Sequence, residues 1–223
     1  TSSQASTQTV QGQFSSLKTG PLPAAAAFPV QGWQHQNVGT LTSGAVSWND
    51  EDHWLVRSRG GQIWGTSDKL HFLYRGYTGD FRIETRYEDL AVLEGGGNLN
   101  NWARAGLMVR KSLQPDSENF AVLRAKAGGR TRTQRREASG ANTQATESGV
   151  NIPIDEKVWL RIERSGSTFS GYYRKDDQQD WTLISSRSLA ELNVSDSTPL
   201  YVGLATSSQA STQTVQGQFS SLK

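Results

Sequence analysis

Residues 63–86 read IWGTSDKLHFLYRGYTGDFRIETR, and the spacing of their apolar side chains decides the fold class. Leu70, Phe72 and Tyr74 alternate with Lys69, His71 and Leu73, and Phe81, Ile83 and Thr85 alternate with Arg82, Glu84 and Arg86. A period of two is the signature of a strand with one side turned to a core. The break between the two runs, Tyr77-Thr78-Gly79-Asp80, carries the residues that turn a chain. Working outward, the same alternation predicts strands at Leu107–Arg110, Phe120–Lys126, Arg130–Arg136, Trp159–Arg164, Thr168–Arg174, Trp181–Ser186, Leu200–Thr206 and Thr212–Leu222. Gly95-Gly96-Gly97-Asn98, Ala127-Gly128-Gly129, Ser165-Gly166-Ser167 and Asp176-Asp177 punctuate them. No long helical period is visible. Many short alternating strands predict an all-β fold: an antiparallel two-sheet jelly-roll sandwich, each strand with one apolar and one polar face.

Thr1–Lys18 and Thr206–Lys223 are the same sequence, TSSQASTQTVQGQFSSLK, without one substitution. The segment Thr19–Phe28, TGPLPAAAAF, has the composition of a semi-rigid spacer. The expected organisation is therefore the closing strand of a preceding repeat at 1–18, a Pro/Ala linker at 19–28, and a β-sandwich repeat at 29–223. Val215 and Phe219 belong to the core of the closing strand. Val10 and Phe14 are their copies, and an unpaired strand with that apolar face is a ready partner for β-augmentation. Head-to-tail pairing with neighbouring repeats or identical chains is the expected partnership.

Lys plus Arg number 23 against 21 for Asp plus Glu, which argues against a general nucleic-acid binder. The chain has no cysteine, so disulfides, thiolate metal sites and a cysteine nucleophile are excluded. No apolar run approaches the ~20 residues needed to span a bilayer, so no membrane insertion is expected. No leader is visible in the polar first residues. In a chain that begins inside a repeat, an export signal would lie far upstream.

With the strands placed, the string at 63–86, followed by NWARAGLMVRKSL at 101–113, resembles a bacterial β-sandwich family of the concanavalin A-like lectin/glucanase superfamily. The resemblance rests on the IWG turn, the HFLYR strand, the Gly79-Asp80 pair, read as a hairpin, and the WARAGLMVR strand. It continues through Val158–Arg164, Tyr172–Trp181 and Val202–Ser207, covering about Gly32 to Lys223. It implies a concanavalin A-like sandwich of a secreted or surface-attached bacterial protein, used beside carbohydrate-active enzymes or strung into large extracellular arrays. Gln62 departs from the pattern, which often has Asp there; where that Asp helps hold a cation, this chain lacks it. The implied function is a non-catalytic repeat acting in adhesion or as a fibre element, with a module that binds polysaccharide as the alternative.

Candidate chemistry divides as follows. Glycoside hydrolysis needs two carboxylates flanking the bond. The nearest fragments, Asn49-Asp50-Glu51-Asp52 and Glu84–Asp89, lack the E-x-D-x-x-E spacing and read as solvated acids, so no catalytic residue is assigned. His71 lies on a strand beside basic residues, where it could face a sugar or bond a neighbouring strand. Of seven tryptophans, Trp64 and Trp159 read as core, whereas Trp102 and Trp33 stand near loops and are candidates for stacking on a sugar ring. Residues 104–136 hold nine basic and two acidic residues, a net +7 against −5 for the rest. Alternation predicts that Arg110 and Arg124 leave the core and merge with Arg132 and Arg136 into one basic surface patch. Such a patch would grip uronic or sulfated glycans. The alternative is a solvated face paired with Glu84, Glu137 or Glu163. No cofactor is expected. A structural Ca²⁺ in loops rich in acids, including Asp68, Asp80 and Asp176, stays open because no dense D-x-D-x-D-G pattern occurs.

Overall fold

The computed structural model describes residues 32–50 and 53–223. Val10, Phe14 and the expected linker lie outside the described residues. In chain order the strands are β1 (Gln34–Val38), β2 (Ser43–Asp50), β3 (His53–Arg59), β4 (Ile63–Trp64), β5 (Ser67–Asp68), β6 (Leu70–Tyr77), β7 (Phe81–Glu94) and β8 (Arg104–Arg110). They continue with β9 (Asn119–Ala125), β10 (Arg130–Arg136), β11 (Gln144–Asn151), β12 (Val158–Ser165), β13 (Thr168–Lys175), β14 (Thr182–Ser188), β15 (Leu200–Ser207) and β16 (Thr214–Ser220). Two seven-stranded antiparallel sheets form, ordered β1-β6-β15-β8-β9-β10-β11 and β14-β13-β12-β7-β16-β3-β2, with β4 and β5 as a separate small hairpin. The fold is an all-β, two-sheet jelly roll of the concanavalin A-like type.

The main core lies between the sheets. Phe120 of the first stacks on Phe169 of the second at 6.1 Å between ring centres. Gly217 lies opposite Ala105 and Thr206, and Gly171 opposite Val122 and Thr133. The closing strand β16 is central in its sheet, paired with β3 and β7 along its whole length, and Val215 and Phe219 are fully buried.

Three local expectations change. Gly79-Asp80 does not close a hairpin: β6 belongs to the first sheet and β7 to the second, so this turn carries the chain across the sandwich. It is anchored where Gly166 N–H donates to Asp80 Oδ1 at 2.9 Å. Strand β11, QATESGVN, is a polar edge strand whose alternation gave no signal.

Third, the outer side of the first sheet is not solvated at its centre. Val38, Leu70, Phe72, Tyr74, Met108, Ala121, Leu123 and Ala205 form a second apolar cluster there, capped by fully buried Ile63 of the hairpin. As a result β8 and β9 are buried at every position, and alternation no longer tells which residues meet water. Burying Ile63 is worth ~1.5–3 kcal/mol. The hairpin can approach this closely because Gly61, at φ 96°, has no Cβ to strike the Lys69 carbonyl.

A candidate ligand cleft on the outer face of the first sheet

Antiparallel register sets the arginines in rows. Arg110, Asn119 and Arg136 are cross-strand neighbours at one end of β8, β9 and β10; Gly106, Leu123 and Arg132 form a row towards the other. The two ends have different chemistry.

At the first end Asp68 of the hairpin is inserted between two arginines. Arg110 Nη1 donates to Asp68 Oδ2 at 2.6 Å, and Arg136 donates from Nη1 and Nη2 to Oδ2 and Oδ1, both at 2.7 Å. Asn119 Nδ2 adds a donor at 3.0 Å. All three charged side chains are fully buried. The remaining donors of both guanidinium groups go to carbonyl oxygens: Arg110 Nη2 donates to Gln114 O at 2.6 Å, and Arg136 Nε to Ala141 O at 3.0 Å. Burial pushes the Arg110 pKa down and Asp68 pulls it back part of the way. This is a closed structural network that clamps the hairpin and the loop at 111–118 to the sheet.

The predicted basic surface patch is therefore corrected. Arg110 and Arg136 are internal, and Arg124 points the other way, into the gap between the sheets. There its Nη1 donates to Thr131 Oγ1 at 2.9 Å, its Nη2 to Ile152 O at 3.1 Å, and its guanidinium lies 5.3 Å from the Tyr87 ring centre. Asp68, expected among solvated loop acids, is the buried centre of the network. The expected Glu84, Glu137 and Glu163 partners serve other arginines: Glu84 takes Arg161 at 2.7 Å, Glu137 takes Arg135 at 2.7 Å and Glu163 takes Arg82 at 3.5 Å.

His71 is also internal. Its ring lies between the sheets, with Nδ1 2.7 Å from Asn37 Oδ1 and Nε2 3.1 Å from His35 Nδ1. Burial, then the neighbouring His35, holds its pKa at about 3. A neutral ring bridging β1 and β6 is positioned to fix strands, not to meet a sugar. Trp33 is buried against Trp54, with Arg75 5.0 Å from its ring centre. Trp159, expected in the core, lies on the outer side of the second sheet, its Nε1 donating to Asp176 Oδ1 at 3.2 Å.

The other end of the first sheet stays open. A cleft of about 430 Å³ lies there, within the range of small-ligand sites. Trp64 of β4 and Trp102, from the turn before β8, stand on its rim with 40% and 41% of their surface exposed. Arg104 lies against both, its Cζ 5.4 Å from the Trp64 ring centre and 5.8 Å from that of Trp102. Arg132 lies 5.3 Å from Trp102. Glu147 of β11 is the one carboxylate among the described lining residues, 3.2 Å from Arg130 and 3.4 Å from Arg132. Gln209 bridges to Gln62 at 3.2 Å on the far wall. Burial, then the charge of Arg132, pushes the Arg104 pKa down to about 10.

Of the candidate site residues, Trp102 and Arg132 come together here; Arg110, Arg124, Arg136 and His71 do not. Trp64, expected in the core, is instead exposed on the rim, and Arg104, counted only within the basic run, lies against it. Trp64 alternates with buried Ile63 across a two-residue strand, too short to reveal a period. Its Gly65 neighbour, which marks a turn, was the available signal. Among the described residues no group of three metal-ligating side chains converges, and no helix is long and apolar enough to cross a membrane.

No protein-family model matches the chain, and no curated protein sequence does. Solved structures do. A functionally unknown protein from Saccharomyces cerevisiae superposes with a TM-score of 0.61 at 13% identity, covering 85% of this chain and 95% of that one. The carbohydrate-binding module CBM66 from Bacillus subtilis gives 0.50 at 17% identity, covering 86% and 93%. The alginate lyase from Klebsiella pneumoniae gives 0.53 at 12% identity, covering 83% and 85%. At these identities the likeness is one of fold.

Proposed function

We propose that this domain is a non-catalytic carbohydrate-binding module and that the cleft beside Trp64 and Trp102 is its binding site. The carrying observation is a pair of half-exposed indoles framing a cleft whose floor is made of guanidinium donors. Indole faces stack on the apolar side of a pyranose, and fixed donors read its hydroxyls. A single lining carboxylate supports binding over hydrolysis, which would need a flanking pair. The likeness in fold to a carbohydrate-binding module is consistent with this reading. A glycan array followed by calorimetry tests it. Trp64→Ala and Trp102→Ala should each weaken the best glycan about tenfold or more, with the melting temperature nearly unchanged because both rings are at the rim. Unchanged binding in both variants would remove the cleft from consideration.

A second reading concerns the exact copy of residues 206–223 at residues 1–18. We infer that the chain derives from an array of near-identical extracellular repeats, in which a spare closing strand pairs with a neighbouring unit. The motive is that β16 occupies the middle of a sheet, so its sequence fits a slot with two partners. Light scattering on the chain without residues 1–18 should show loss of assembly with the fold retained. Equal assembly without them would discard the strand-donor role.

A further inference from the structure

The face that carries the cleft holds two pairs of arginines, and one pair lacks what the other has. Arg110 and Arg136 share the Asp68 carboxylate. Arg104 and Arg132, whose side chains are also almost fully buried, share none. Arg104 Nη1 donates to the Ile63 carbonyl, but its Nε has no partner. Arg132 reaches Glu147 from Nη1 alone, at 3.4 Å, and its Nε and Nη2 have no partner. Those two nitrogens form the side-on fork of a guanidinium, whose spacing matches the two oxygens of a carboxylate. Buried charged donors left without acceptors are costly. Two such cations also repel one another across the floor, and Glu147, more than a third exposed, offsets them weakly.

We propose that the cleft takes an acidic saccharide whose carboxylate seats between Arg104 and Arg132 while its ring lies against Trp64 and Trp102. This deepens the carbohydrate-binding reading and rests on it. The ligand carboxylate does for this pair what Asp68 does for the other. Trp102 packs on the Arg132 guanidinium and Arg132 Nε and Nη2 are closed to solvent, so seating the acid requires that indole to turn outward. The adjoining Gly95-Gly96-Gly97 run, with φ of 90°, 62° and 75°, gives the loop backbone that only glycine adopts readily. Glu147 competes for the same cations and so lowers the affinity for an acid.

The test is calorimetry on the full chain with trigalacturonate and with α-1,4-galactotriose, which differ in the C6 carboxylates. Trigalacturonate should bind about tenfold tighter or more, the scale of a charge-assisted bidentate contact. Arg132→Lys keeps the charge and loses the fork, and should bring the ratio between the two sugars close to one. Glu147→Gln, at a half-exposed position, should raise it several-fold and decides the matter if Arg132→Lys does not fold. Equal binding of the two sugars overturns the proposal and leaves the carbohydrate reading standing, as does a ratio that Glu147→Gln leaves unmoved. Binding of neither sugar overturns the proposal, and the glycan array then decides the carbohydrate reading. A triglutamate peptide binding as tightly as trigalacturonate also overturns it, because the site would then read charge without sugar.

Discussion

Asp68 and His71, three residues apart, are both buried polar side chains that hold elements together, and they respond to change in opposite ways. Asp68→Asn removes the anion shared by Arg110 and Arg136, leaving buried cations that nothing balances. The expected loss is ~3–5 kcal/mol by urea denaturation. Replacing Asp68, Arg110 and Arg136 together by apolar residues of similar volume should cost far less, because the uncompensated charges go too. His71 is held neutral, with its pKa near 3 instead of 6.5. The unfolded chain binds a proton below pH 6.5 that the folded chain refuses until about pH 3, so stability is complete above pH 6.5 and falls through this window. The expected slope is at most ~1.4 kcal/mol per pH unit. Melting temperatures taken from pH 7 to 4 should show it, and His71→Gln should flatten it. A slope unaltered by that substitution would assign the acid sensitivity to carboxylates instead.

At the scale of elements the small hairpin governs the outer face. Ile63→Ala should cost ~2–4 kcal/mol. It should also expose the cluster around Phe72, Met108 and Leu123, read out as increased dye binding and faster amide exchange in β8 and β9. Strands such as β8, β13 and β15 were legible in the sequence because their apolar residues alternate between turn residues. Strands β1 to β3 were not, since residues 34–59 mix glycine, tryptophan and charge without a clean period. The arginines were misplaced for a related reason. Alternation correctly put Arg132 and Arg136 on one side of β10, but it does not say whether a further layer covers that side. Two-residue strands β4 and β5 supply that layer, and so short a segment carries no periodic signal. The candidate site was half legible: Trp102 and Arg132 stood out as an aromatic after a glycine-rich loop and a cation in a basic run. Trp64 and Arg104 join them only through the folding-over of the hairpin.

For the whole molecule, pairing is dominated by partners far apart in sequence. Thr214 sits opposite Arg59, Tyr201 opposite Arg110 and Leu200 opposite Tyr77. Such topologies fold slowly because loops must close before contacts reward them. Refolding followed by tryptophan fluorescence should take milliseconds to seconds or longer, and a microsecond phase with full amplitude would contradict this. The position of β16 carries that thought onto the ribosome. Until residue 220 has left the exit tunnel, the slot between β3 and β7 lacks its own strand, and only the copy of that sequence at 1–18 is on hand to fill it. A nascent chain stalled there with the slot unfilled would present Trp54, Val56 and Tyr87 to holdase chaperones, which makes this stretch of synthesis the interval of greatest exposure.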